Sequence, residues 1–215
     1  MTQTLFAKEI TLDDLSEQFG LQHARDQTLF PEWQESLPEL VDAERQLLER
    51  VRSNFENLAQ GRSLSEEAVK MAVLSPLLDL AGFYQPPFKI ATEQAIAISA
   101  EDERGIVVRG NIDVPVVLEQ LWILVIESKQ VAFSLYKALP QALTYMLANP
   151  NQCPTFGLIT NGNDFLFVKV LPQHPPRYVV SRVFSLLNPG NDLEPVLRVL
   201  KKIGNLLNVK SQQPE

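Results

Sequence analysis

Along the chain, apolar residues recur at two spacings, one helical and one extended. At helical spacing, Leu40, Val41, Leu47, Leu48, Val51, Phe55 and Leu58 mark residues 38–58 as an amphipathic helix, packed on the core or on a second copy of the chain. The next helix, SEEAVKMAVLSPLLDLAGF, is capped by Ser63 or Ser65 and stops at Gly82. Its core-facing stripe is Met71, Leu74, Leu78 and Ala81, and one more turn back reaches Glu67 rather than Glu66. Both glutamates also suit the positive end of a helix. A third helix spans about 134–148, with Pro140 in its first turn or kinking it. Gln141 and Tyr145, four apart, share a face of it. A last helix covers about 192–207, and residues 12–19 carry a helical fragment that breaks before Pro31.

Extended spacing fills the rest. Residues 88–99 and 106–118 alternate and are rich in β-branched side chains, with the charged 101–104 between them, and 121–126 is an unbroken apolar run of the kind buried on both faces. Further strands are predicted at 155–160, 165–170 and 178–184, the first two joined by Asn161-Gly162, a type I′ hairpin signal. The order is helix, three strands, helix, two strands. Such an order packs as an α/β fold, a mixed central sheet flanked by helices, here with a helical N-terminal extension over residues 1–60 and the main domain over 61–210.

Composition narrows this picture. At 215 residues, 45% apolar and 21% charged, the chain suits one well-buried core. No run of about 18 apolar residues is present, and the acidic start MTQTLFAKEITLDDL is unlike a signal peptide, so a cytoplasmic protein without membrane contact is expected. The single Cys153 excludes an internal disulfide, and with only His23 and His174 beside it a Cys/His zinc site is not expected. Any metal would be held by carboxylates. The net charge of −7 argues against a surface built for tight non-specific nucleic-acid binding, though not against a local basic patch.

Chemistry gathers in RGNIDVPVVLEQLWILVIESK, residues 109–129. Glu127 and Lys129 share one face of a strand and Ser128 the other. In an antiparallel pair with 106–118, a turn centred on Gln120 opposes Asp113 to Glu127. A two-residue turn at Glu119 and Gln120 opposes Asp113 to Ile126 instead, and a bulge near Pro115 restores the match. Two carboxylates on adjacent strands suffice to anchor a hydrated Mg²⁺, with the Ser128 carbonyl as a third oxygen. Lys129 beside them could offset charge developing on a phosphate. The same three side chains also make an ordinary salt-bridge cluster.

The helix with Glu66 and Glu67, the strands NIDV and VIESK, the helix motif QALTY and the strand and turn LITNG follow one another over residues 63–165. In this order they resemble the PD-(D/E)xK nuclease superfamily, and more closely the N-terminal nuclease domain of type I restriction enzyme R subunits. The resemblance implies a restriction endonuclease-like core in αβββαβ order and a Mg²⁺- or Mn²⁺-dependent nuclease acting on DNA. It makes Asp113 and Glu127 metal ligands, Lys129 the catalytic lysine, Gln141 and Tyr145 an accessory pair, and Glu67 or Glu66 the helix acid, with Glu93 at the periphery. A catalytically inactive module of this fold, binding nucleic acid or protein, is the competing expectation. Either is compatible with a homodimer formed through the N-terminal helical region.

Overall fold

The computed structural model describes residues 4–6, 9–60, 64–88, 90–91, 94–99, 107–112, 116–117, 121–125, 135–149 and 153–211. After a short strand, Thr4–Phe6 (β1), the first helix Leu12–Phe19 (α1) is closed at both ends. Thr11 accepts from the Asp14 amide at 3.1 Å while the Asp14 carboxylate accepts from the Thr11 amide at 2.9 Å, and Gly20 ends the helix at φ 65°. A two-residue strand Gln22–His23 (β2) and two 3-10 turns, Gln27–Leu29 and Pro31–Trp33, lead to the long helix Asp42–Ala59 (α2). A third helix over residues 66–80 (α3) precedes the strands Ile90–Ala91 (β3), Gln94–Ser99 (β4), Val107–Ile112 (β5), Val116–Val117 (β6) and Leu121–Val125 (β7). Helix Leu135–Leu147 (α4), strands Thr155–Thr160 (β8), Asp164–Leu171 (β9) and Arg177–Ser185 (β10), and helix Leu193–Ser211 (α5) complete the chain.

Four longer strands, β7 to β10, make a mixed sheet: β7 runs parallel to β8, and β8, β9 and β10 are antiparallel neighbours. Short strands extend both edges, β2 beside β10 and β6 with β3 beyond β7. Every residue of β8 is buried, and all of β9 after Asp164, as an apolar run covered on both faces requires. Alternation assigns the covers. On the face with Gly157 and its partner Val168 lies α4, whose Met146 sulfur is 2.8 Å from where a Cβ on Gly157 would stand. On the other face Phe30 packs against Phe156 and Trp33 against Phe184, with ring centroids 6.2 and 6.3 Å apart. The result is an α/β fold with helices flanking the sheet.

The predicted strands at 88–99 and 106–118 each divide in two. Their outer parts, β4 and β5, pair with each other and with β1 in a separate three-stranded sheet, while β3 and β6 join the main one. Ala91 pairs with Val116 in the main sheet and Gln94 with Ile112 in the three-stranded one. The bulge expected near Pro115 falls outside the described residues.

Helix α2 also departs from its predicted stripe. Leu48, Val51 and Phe55 are buried in the chain's own core, whereas Val41 and Leu47 are exposed. Its polar side is tied to α5 by Lys201 on Glu44, and by Arg45 with Glu194 at 3.7 Å.

The turn between β8 and β9 is shifted by one residue from Asn161-Gly162. Asn161 closes it from outside, its side-chain oxygen accepting from the amides of Asn163 at 2.9 Å and Asp164 at 2.7 Å, and Gly162 occupies the first central position with φ 88°. That is the pattern of a type II′ rather than a type I′ turn. Gly162 is required twice over, since a Cβ would also sit 2.9 Å from Phe55 and 3.0 Å from Val69. Gly162→Ala is expected to cost about 2–4 kcal/mol from the left-handed backbone and the overpacking together. A urea midpoint within error of wild type would refute that.

Asp192 links the last strand to the last helix. Its burial pushes its pKa up, but the Ser185 amide at 2.9 Å, Asn188 at 2.8 Å and Arg182 at 3.5 Å outweigh this and hold it below the ordinary carboxylate value. A carboxylate depressed in the folded state contributes stability above its unfolded pKa of about 3.9, and loses it as pH falls through the lower folded value. Asp192→Asn is therefore expected to be less stable than wild type at pH 7 and to converge with it below about pH 4. Thermal melts across that range test the convergence.

Candidate functional site

Helix α3 begins at Ser65, whose hydroxyl accepts from the Ala68 amide at 3.2 Å, with Glu66 and Glu67 in its first turn. It is α-helical over Glu66–Val69, π-helical over Lys70–Leu74 and α-helical again over Ser75–Leu80. The wide turn ends at Leu74, two residues before Pro76, which has no amide hydrogen and whose ring would strike the carbonyl four residues back in a regular helix. The extra residue per turn rotates the buried stripe. Val69, Val73, Leu74, Leu77 and Leu78 are buried, while Met71, expected in the core, is 76% exposed and Ala81 is half-buried. Glu67, one turn before Met71, is exposed too. Glu66 is half-buried and bonded by Lys70 at 2.6 Å.

Helix α4 carries the second part of the candidate site. Gln141 donates its amide to the Tyr145 hydroxyl at 2.9 Å, so the two side chains meet on one face. Tyr145 is only 2% exposed, which fixes the ring and leaves its hydroxyl at the Gln141 end. Pro140 lies within the helix rather than in its first turn, and the Thr144 hydroxyl donates to the Pro140 carbonyl at 2.8 Å. Because β7 and β8 are parallel, α4 is the crossover that returns the chain from the end of β7 to the start of β8.

Asp113, Glu127, Ser128 and Lys129 lie outside the described residues, as does Glu93. The strands around them do bear on the expected register. Val117 pairs with Leu121 and Val116 with Trp122, whereas a turn centred on Gln120 would pair Val117 with Ile123 and a two-residue turn would pair it with Trp122.

Two features escaped the sequence pattern. Lys169, inside the buried strand β9, is only 6% exposed and forms a bidentate ion pair with Glu32 at 2.7 and 2.9 Å. Its ammonium also lies 5.8 and 5.7 Å from the ring centres of Phe30 and Phe156. The sequence signal was a lysine within an apolar strand, with nothing to name its partner 137 positions away. The second is a half-open cavity of about 240 Å³ shared by Cys153 and His174, residues that no sequence motif connects.

Among the described residues no group of three or more His, Cys, Asp or Glu side chains could hold a metal ion, and no helix is long and apolar enough to cross a membrane. No family model matches the chain, and no curated protein is significantly similar to it.

Proposed function

We propose that the chain is a divalent-metal-dependent nuclease of the PD-(D/E)xK type that hydrolyses phosphodiester bonds in DNA. The observation that carries this reading is the Gln141–Tyr145 hydrogen bond on the crossover helix, in a chain whose elements follow one another as helix, five short strands, helix and strand. A glutamine amide held by a buried tyrosine is a fixed donor, suited to orienting a phosphate backbone beside the strand that leads into Glu127.

On this reading Asp113, Glu127 and the Ser128 carbonyl hold Mg²⁺ or Mn²⁺, which supplies Lewis acidity at the scissile phosphate. Lys129 places a positive charge beside the same phosphate and stabilises the charge that builds there. Tyr145 positions Gln141. Of the two candidate helix acids, Glu67 is the one without an ion pair to a neighbouring lysine on its own helix, Glu66 being bonded by Lys70.

Mn²⁺ soaked into crystals tests the metal site directly. Anomalous density between Asp113 and Glu127 is expected, and a lysine or arginine nitrogen occupying that space instead would refute the assignment. The same two glutamates favour a second reading, a non-catalytic module that binds nucleic acid or protein: one is ion-paired and the other stands in solvent. That reading predicts salt-sensitive DNA binding, or a stable complex, unchanged by Glu127→Ala and without cleavage.

A further inference from the structure

The half-open cavity lies between the end of α1, the end of α4 and the loop that joins β9 to β10. Thr155 on its wall precedes Phe156, the partner of Leu121 at the start of β7, whereas the proposed nuclease centre draws on residues that follow the other end of β7, Val125, about 13 Å of strand away. It is thus a separate site from the proposed nuclease centre. At about 240 Å³ it falls just short of the ~300–1,000 Å³ typical of sites for drug-sized ligands, which limits it to a smaller molecule.

The chemistry of the wall narrows the ligand further. Among the described residues that line the cavity there is no Asp, Glu, Lys or Arg, so a buried ionic group would have no counter-charge to offset its desolvation. Two ring side chains, Phe19 and His174, and the polarisable Met146 are among the lining residues. Asn149 and Gln173 add carboxamides: the Asn149 nitrogen donates to the Thr155 hydroxyl at 3.2 Å, and the Gln173 nitrogen is a donor at the rim. The nearby Arg177 is bonded to the Gln173 side-chain oxygen at 3.0 Å. Apolar faces with a mixed donor and acceptor rim complement a ring that is itself apolar on its faces and polar on its edge. We propose that this cavity binds an uncharged heteroaromatic ring of nucleobase size.

Cys153, the single cysteine of the chain, lines the cavity and reports on its occupancy. The test measures the rate of Cys153 alkylation by iodoacetamide in the full chain, without divalent metal, at increasing adenosine or uridine and in parallel with the corresponding 5′-monophosphates. A nucleoside is expected to slow alkylation at least threefold and to shift the Met146 methyl resonance saturably, with both effects lost in His174→Ala, a change at an exposed loop position. The methyl shift does not depend on thiol reactivity. No saturable change with any nucleoside overturns the proposal, and so does tighter binding of the monophosphates, which would make the cavity an anion site. Neither result bears on nuclease activity, since metal is absent throughout.

Discussion

Glu32→Ala is expected to cost about 3–5 kcal/mol of folding stability, because it strands the Lys169 ammonium among buried aromatic rings. Lys169 is held by both carboxylate oxygens of Glu32, with Phe30 and Phe156 around it and almost no solvent contact. Once the partner is gone, the lysine must find water by local unfolding or lose its proton, and either route destabilises the sheet. The ion pair itself carries little net stability, since both charges were desolvated to form it. Replacing both residues, Glu32→Leu with Lys169→Met, is therefore expected to recover most or all of the loss. Urea unfolding of the two variants separates these cases. A single-variant cost below about 1 kcal/mol would equate the pair with a solvent-screened surface bridge and refute the account.

Lys129→Ala is expected to slow DNA cleavage by about 10²–10³-fold, the range seen when one group that stabilises transition-state charge is removed. In the proposed mechanism Lys129 takes no share in holding the metal, so Mn²⁺ affinity should change little, whereas Glu127→Ala should abolish metal binding and cleavage together. Titration calorimetry with Mn²⁺, paired with single-turnover rates, distinguishes the two roles. Equal metal affinity in all three proteins would exclude Glu127 as a ligand.

The elements that could be read from sequence are those whose pattern has one packing solution. The apolar runs that became β8 and β9 could only be central strands, and both appear within a residue of their predicted bounds. Gln141 and Tyr145, placed on one face by spacing alone, are hydrogen-bonded there. What could not be read depends on partners distant in sequence. Alternation along 88–99 and 106–118 indicates strands but not that each would serve two sheets, because the partner of each half is set by segments distant in sequence, β1 among them. Met71 was misassigned because a regular helical period was carried through a π-helical turn. The hairpin register moved by one residue because the Asn161 side chain replaces backbone contacts in the turn, a local competition that dipeptide preference does not resolve.

The central claim is most directly tested by incubating supercoiled plasmid and single-stranded circular DNA with the wild-type chain and Asp113→Ala, in Mg²⁺ and in EDTA. The account predicts cutting by wild type in Mg²⁺ alone and none by Asp113→Ala. No Mg²⁺-dependent cutting of either substrate, or equal cutting by both proteins, would contradict it.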